Sequence, residues 1–132
     1  RIFIFTHKYL YAPEHNVMNI ILQNRKKNNI YDQYENPNYK NSILPILKRT
    51  IKDIYFFAGD KKPFSSFFYK ENNITYLGTH LYQKQDDALL KVTIENNENV
   101  TIHALNLETH SIENITDYGI NYWRKMTNRN DQ

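Results

Sequence analysis

The sequence predicts an α/β fold with a mixed sheet and antiparallel strands toward its carboxyl end. Three observations predict it. A wholly apolar run, "IFIFT" at 2–6, reads as a strand buried on both faces. A second run, "IYFFA" at 54–58, follows a stretch with helical spacing, and a helix between two buried strands favours a parallel pair. Beyond Asp60 the pattern changes to short strands separated by Asn-rich turns, as in antiparallel hairpins.

The first strand ends at Thr6-His7. Residues 8–42 hold little regular signal. They contain Pro13, Pro37 and the basic cluster Arg25-Lys26-Lys27. Within them, "NVMNIILQNRKK" sets Val17, Ile20 and Ile21 on one helical face and predicts a short helix. "NNIYDQYENPNYKN" reads as a long surface loop, and loops beyond about 12–15 residues tend to be functional or mobile. From Ser42 the pattern sharpens. "SILPILKRTIKD" spaces Ile43, Ile46, Leu47 and Ile51 as a helix would. Ser42 is placed to cap it, and Pro45 falls in the first turn, where its missing N–H does no harm. Lys48, Arg49 and Lys52 fall near the other end and complement the helix dipole.

Four strands follow: "SSFFYKE", "NITYLGT", "ALLKVTIE" and "VTIHALNLE". Glu71-Asn72-Asn73 and Glu95–Asn99 suit hairpin connections, because Asn tolerates positive φ. In the last strand Val100, Ile102 and Ala104 alternate against Thr101 and His103, which predicts one buried face. The polar stretch 111–132 carries Tyr122-Trp123 and reads as an extension that packs on the body or on a partner segment.

Composition narrows the classes of function. The 132 residues are 40% apolar and 14% aromatic, enough for one domain with a core. There are no cysteines, so disulfides, thiolate metal sites and cysteine nucleophiles are excluded. A net charge of +3, spread along the chain, argues against a nucleic-acid interface, which favours a dense basic face. No run approaches the eighteen apolar residues of a membrane span. The chain opens in mid-strand, without Met or a signal-peptide pattern, which predicts a native N-terminal part ahead of residue 1. A first strand that lacks a neighbour would leave unpaired backbone groups, so self-association or a missing segment is expected to complete it.

Two residues stand where chemistry is often found. His7 follows the first buried strand and Asp60 follows the second. If those strands are parallel neighbours, both residues lie at one edge of the sheet, where open α/β sheets bind ligands. Imidazole and carboxylate are both ligands for Zn, Mn or Fe. The plainer alternative is a hydrogen-bonded strand-end histidine and an aspartate that caps a turn. His80 follows a third strand end next to Gly78, whose missing side chain suggests a close backbone approach or a bulge. His15, in the loop after Pro13, falls near His7 in the chain. Lys61 and Lys62 can attract an anionic group such as phosphate. His103 and His110 are expected in solvent. Ser65 and Ser66 lie a few residues past Asp60, with nothing in the sequence tying them to a histidine base. G-x-S-x-G, G-x-x-x-x-G-K-[ST] and H-E-x-x-H patterns are all absent.

Taken together, "IFIFTHKYLYAPEHN" and "IKDIYFFAGDKKPFSSFFYKENNITYLGTHL" resemble two segments of the calcineurin-like metallophosphoesterases. In that family an apolar strand ends in a metal-binding His, and the next ends in G-H-x-H before a hairpin. The resemblance covers roughly residues 1–107. Here Gly59-Asp60-Lys61-Lys62 stands in place of G-H-x-H. Asp60 can still ligate a metal, whereas Lys62, as a cation, cannot. The family's earlier motifs, D-x-H, G-D and G-N-H-[DE], are missing ahead of His7.

The resemblance implies a partial α-β-β-α sandwich, with residues 1–110 as the carboxyl-terminal half of such a domain and 111–132 as an extension. It implies phosphoester hydrolysis with two divalent ions, on a phosphorylated small molecule or other phosphoester. His7 and Asp60 would be metal ligands, and His80, Lys62 and His15 would meet the substrate. By this reading the chain is inactive alone. A non-catalytic binding or scaffold domain derived from the fold is the second expectation. An esterase fragment of the SGNH type, which would need a serine motif not present here, is the third.

Overall fold

The computed structural model describes residues 1–7, 17, 19–20, 38–59, 66–79 and 87–129. Seven strands form two sheets. The first sheet contains β1 (Ile2–Thr6), β2 (Ile54–Ala58), β3 (Phe67–Glu71) and β4 (Ile74–Gly78) in the order β1-β2-β4-β3. β1, β2 and β4 run parallel, and β3 runs antiparallel to β4. The second sheet is antiparallel, β5 (Ala88–Ile94), β6 (Val100–Asn106) and β7 (Ile112–Asn114) in that order. The α/β class, the mixed sheet and the later antiparallel strands are therefore as the sequence predicts.

Alternation along the first sheet divides its side chains between two cores. Ile54, Phe56, Ala58, Ile74, Tyr76 and Phe67 bury one face against Val17, Tyr39, Leu44 and Trp123. Phe57 and Leu77 bury the other face against Ala88, Ile102 and Ala104 of the second sheet and Ile115 behind it. The result is three layers: helical segments, mixed sheet, antiparallel sheet.

The helical layer differs from the expected one. Tyr39–Ile43 forms a π-helical turn, closed by the Leu44 N–H donating to the Tyr39 carbonyl, and α1 (Leu44–Lys48) continues from it. Pro45 explains the wide turn. Its ring would press on the carbonyl four residues back, and a five-residue bond relieves that contact. Ser42 therefore lies inside a helical turn and caps nothing. The buried side chains are Tyr39 and Leu44, with Leu47 packed at the margin. Ile43 and Ile46 face out, and Ile51, past the helix end, is 99% exposed. The aromatic ring wins the inner face because it buries more area and because its hydroxyl finds a partner. Tyr39 and Tyr76 are hydrogen-bonded through their hydroxyls at 2.5 Å, and both rings pack on Phe56. Burial pushes the Tyr39 hydroxyl up to about 12, and it pushes Tyr76 upward as well.

Three further expectations change. β1 is an edge strand among the described residues, not a strand buried on both faces, and Phe5 is 76% exposed. Residues 38–42 of the expected long loop are helical; the rest of that loop lies outside the described residues. The short helix expected around residues 16–27 is described only at Val17, Asn19 and Ile20, all helical.

The hairpins hold their predicted places. Asn72 takes the positive φ of the first (53°). In the second the positive φ falls on Glu98 (67°), while the Asn97 side chain accepts from the Asn99 N–H. Residues 112–129 pack on the body. They add β7 to the second sheet, then a 3-10 turn at Ile115–Tyr118, then α2 (Ile120–Arg129), which buries Trp123 to 4% exposure. Among the described residues no helix is long and apolar enough to cross a membrane.

Candidate functional site at the carboxyl edge of the first sheet

The parallel register decides which residues meet. Thr6, Ala58 and Gly78 are paired in one row across β1, β2 and β4, and Phe67 pairs with Gly78 from β3. The three parallel strands thus end together. Continued one step past these paired residues, the register would set His7, Gly59, Thr79 and Ser66 in one row. The Gly59 N–H donates to the Thr6 carbonyl at 3.2 Å, so the ladder between the first two strands extends past their ends.

These four residues also share a face. Phe3, Phe5 and His7 fall on alternate positions of β1, as do Tyr55, Phe57 and Gly59 on β2 and Thr75, Leu77 and Thr79 on β4. Ser66 is in step with Phe68 on β3. Strands lie about 4.8 Å apart, so the row from His7 to Ser66 spans about 14 Å. His7 is exposed, Thr79 is half-buried and Ser66 is 1% exposed. Gly59 is the gap in the row: a Cβ built there meets nothing within 4 Å among the described residues.

Gly78 has the opposite role. A Cβ there would lie 2.2 Å from Cε1 of Phe67 and 2.9 Å from the Ala58 carbonyl oxygen. The close approach expected at this glycine is the Phe67 ring, which closes the helical-side core just beneath the row.

Of the five residues singled out in the sequence, the structure places His7 at this edge. Asp60, His80, Lys62 and His15 lie outside the described residues. Asp60 and His80 are each joined in the chain to a row member, Gly59 and Thr79. Sequence reasoning passed over Thr79 and gave Ser66 no role. The signal that could have found them is register: once β3 and β4 are paired as a hairpin around Asn72-Asn73, Phe67 stands opposite Gly78, and Ser66 and Thr79 flank that pair in the chain. Among the described residues no three His, Asp or Glu side chains gather as a metal-binding group.

A second concavity, a cavity of about 570 Å³, opens at the far edge of the sheet beside β3 and α2. Tyr69, Lys70, Asp117 and Tyr122 line it, and none of the row residues does.

No family model matches the chain, and no curated protein or solved structure does either.

Proposed function

We propose that the carboxyl edge of β1, β2 and β4 is a divalent-metal site for phosphoester chemistry of the metallophosphoesterase kind. The observation that carries this reading is the common end of three parallel strands, with His7 and Gly59 next after the first two. The three-layer order of helices, mixed sheet and antiparallel sheet also suits part of an α-β-β-α sandwich. His7 would supply a neutral imidazole to one ion and Asp60 a carboxylate, with Mn, Fe or Zn as the candidate metals. Lys62, His80 and His15 would meet a phosphorylated small molecule or other phosphoester.

Two such ions would polarise the phosphoryl oxygens and lower the pKa of a bound water. Two ligands complete neither shell, so hydrolysis by this chain requires further ligands from D-x-H and G-N-H-[DE] segments. A second reading is a binding or scaffold domain that kept the fold and lost the chemistry. It is favoured by Lys62, which puts a cation where the second histidine of G-H-x-H would stand.

The test is elemental analysis of the purified chain after incubation with Mn²⁺, Fe²⁺ or Zn²⁺. Stoichiometric metal that falls at least tenfold in both His7→Ala and Asp60→Ala is the expected result. Metal-free protein, or metal that both variants retain, overturns the reading.

A further inference from the structure

β3 ends the first sheet, bonded to β4 alone. Past β7 the chain passes around this free edge. Ile115 packs into the core between the two sheets, the chain turns at Gly119, and Ile120 and Trp123 pack into the core on the helical side. Residues of this strap and of the β3 edge together line the cavity of about 570 Å³, a size that takes small ligands.

The hairpin decides which backbone groups point that way. Its two-residue turn makes Glu71 and Ile74 a hydrogen-bonded pair, so Tyr69 with Tyr76 and Phe67 with Gly78 are bonded too. Phe68 and Lys70 therefore direct their N–H and C=O away from β4. The Asn73 carbonyl agrees with this phase, because it accepts from the Ile54 N–H of β2 on the opposite side. Among the described residues, no backbone hydrogen bond from the strap reaches Phe68 or Lys70. Both residues line the cavity, as do Tyr69, Tyr122 and Asp117. Lys70 and Asp117 are exposed, and neither forms an ion pair among the described residues. A lysine by itself is what an edge strand often carries to deter pairing. An aspartate in the same cavity makes the lining complementary to a molecule that bears both charges.

We propose that this cavity binds a short peptide with free termini, added to β3 as a further strand. From Phe68 to Lys70 is about 6.8 Å, the length that three extended peptide residues run alongside. The peptide main chain meets the outward N–H and C=O groups of Phe68 and Lys70. Its carboxylate pairs with the Lys70 ammonium and its ammonium with the Asp117 carboxylate, while Tyr69 and Tyr122 offer rings to its side chains. None of this depends on the phosphoester reading, because the cavity shares no residue with the carboxyl edge.

The test titrates the full ¹⁵N-labelled chain with the tripeptide Ala-Tyr-Ala and follows amide chemical shifts. Saturable shifts are expected at Phe68, Lys70 and residues 116–122, and none in β1. Lys70→Gln and Asp117→Asn should each raise the Kd about fivefold at low salt, the scale of one exposed ion pair. Neither should change Tm, because both side chains are exposed. The loss in Lys70→Gln should vanish when the peptide's carboxyl terminus is amidated. Methylating the peptide's amide nitrogens should abolish binding to wild type, because the added strand can then no longer donate. No saturable shift with Ala-Tyr-Ala overturns the proposal, and so does a Kd unchanged in both variants. Equal binding of the methylated peptide overturns it as well, since the ligand would then be held by its charges without joining the sheet.

Discussion

Replacing Gly78 by alanine tests the architecture under the site. The new methyl would lie 2.2 Å from the edge of the Phe67 ring and 2.9 Å from the Ala58 carbonyl oxygen, against an ordinary contact of at least 3.4 Å. The ring must therefore retreat by more than 1 Å. It has little room, because Phe67 is 2% exposed and packed within the core that holds Phe56, Tyr76 and Trp123. The carbonyl has still less, because it belongs to the parallel backbone of β2 beside β4. Overpacking of this kind costs about 1–3 kcal/mol, and the second contact puts Gly78→Ala toward the upper end. For a domain of this size that lowers Tm by very roughly 5–10 °C. Phe67→Leu trims the ring and leaves a cavity, with a cost of about 1–3 kcal/mol alone. If the ring is the obstacle, the double variant costs about 1–2 kcal/mol less than the two single changes added together. Urea unfolding of the four proteins, read by tryptophan fluorescence, measures the coupling. Additive losses, or a Gly78→Ala change below about 0.5 kcal/mol, would refute the argument that Gly78 is there to admit Phe67.

Other predictions concern the core and the open edge. Tyr39→Phe removes the Tyr39 hydroxyl from its bond with the buried Tyr76 hydroxyl and should cost about 1–3 kcal/mol, whereas Tyr39→Phe with Tyr76→Phe should cost less than the two single losses added; additive losses in chemical denaturation would show the hydroxyl pair to be uncoupled. Both tyrosines have hydroxyl pKa values raised above the unfolded value of 10. Their contribution is fully present below pH 10 and is lost as pH rises toward about 12, where Tyr39 titrates. Stability should fall in that window by about 1.4 kcal/mol per pH unit for each tyrosine still protonated, and a flat profile of denaturation midpoints above pH 10 would contradict it. Phe5→Lys should leave stability within about 0.5 kcal/mol, because the ring is 76% exposed, and should reduce self-association through the uncharged edge strand β1. Sedimentation velocity checks it, and a wild type that stays monomeric at high concentration would show that β1 does not pair between copies.

Strands were the most legible part of the sequence. "IFIFT" and "IYFFA" are apolar and bounded, and the hairpin strands are set off by Asn-rich turns, so type and extent both follow from local pattern. The helix at 44–48 was legible as a helix and misread as to its face. Ile43, Ile46 and Ile51 fit helical spacing, but Pro45 widened the preceding turn and rotated the ladder, and Tyr39 had a hydrogen-bond partner thirty-seven positions away that no local window contains. Residues 111–132 were too polar to announce β7 and α2. Their one cue was Ile120 and Trp123, spaced by three, which is the minimum that anchors a helix to a core. At the site, His7 was legible because it ends a strand. Ser66 was not, because its place depends on which strands pair, and pairing is a tertiary fact.

The register of β1 against β2 sets an order of events during synthesis. Ile2 meets Ile54, fifty-two positions later in the chain, while β3–β4 and β5–β6 are joined by tight turns. At about 5–20 residues per second, β1 waits roughly 3–10 s on the ribosome before its partner is made. Through that interval an uncharged "IFIFT" segment is available to any other strand nearby. The first five residues of the sheet therefore depend on whatever shields a nascent chain, and the yield of folded protein should respond to translation speed across residues 8–53 more than to speed anywhere downstream.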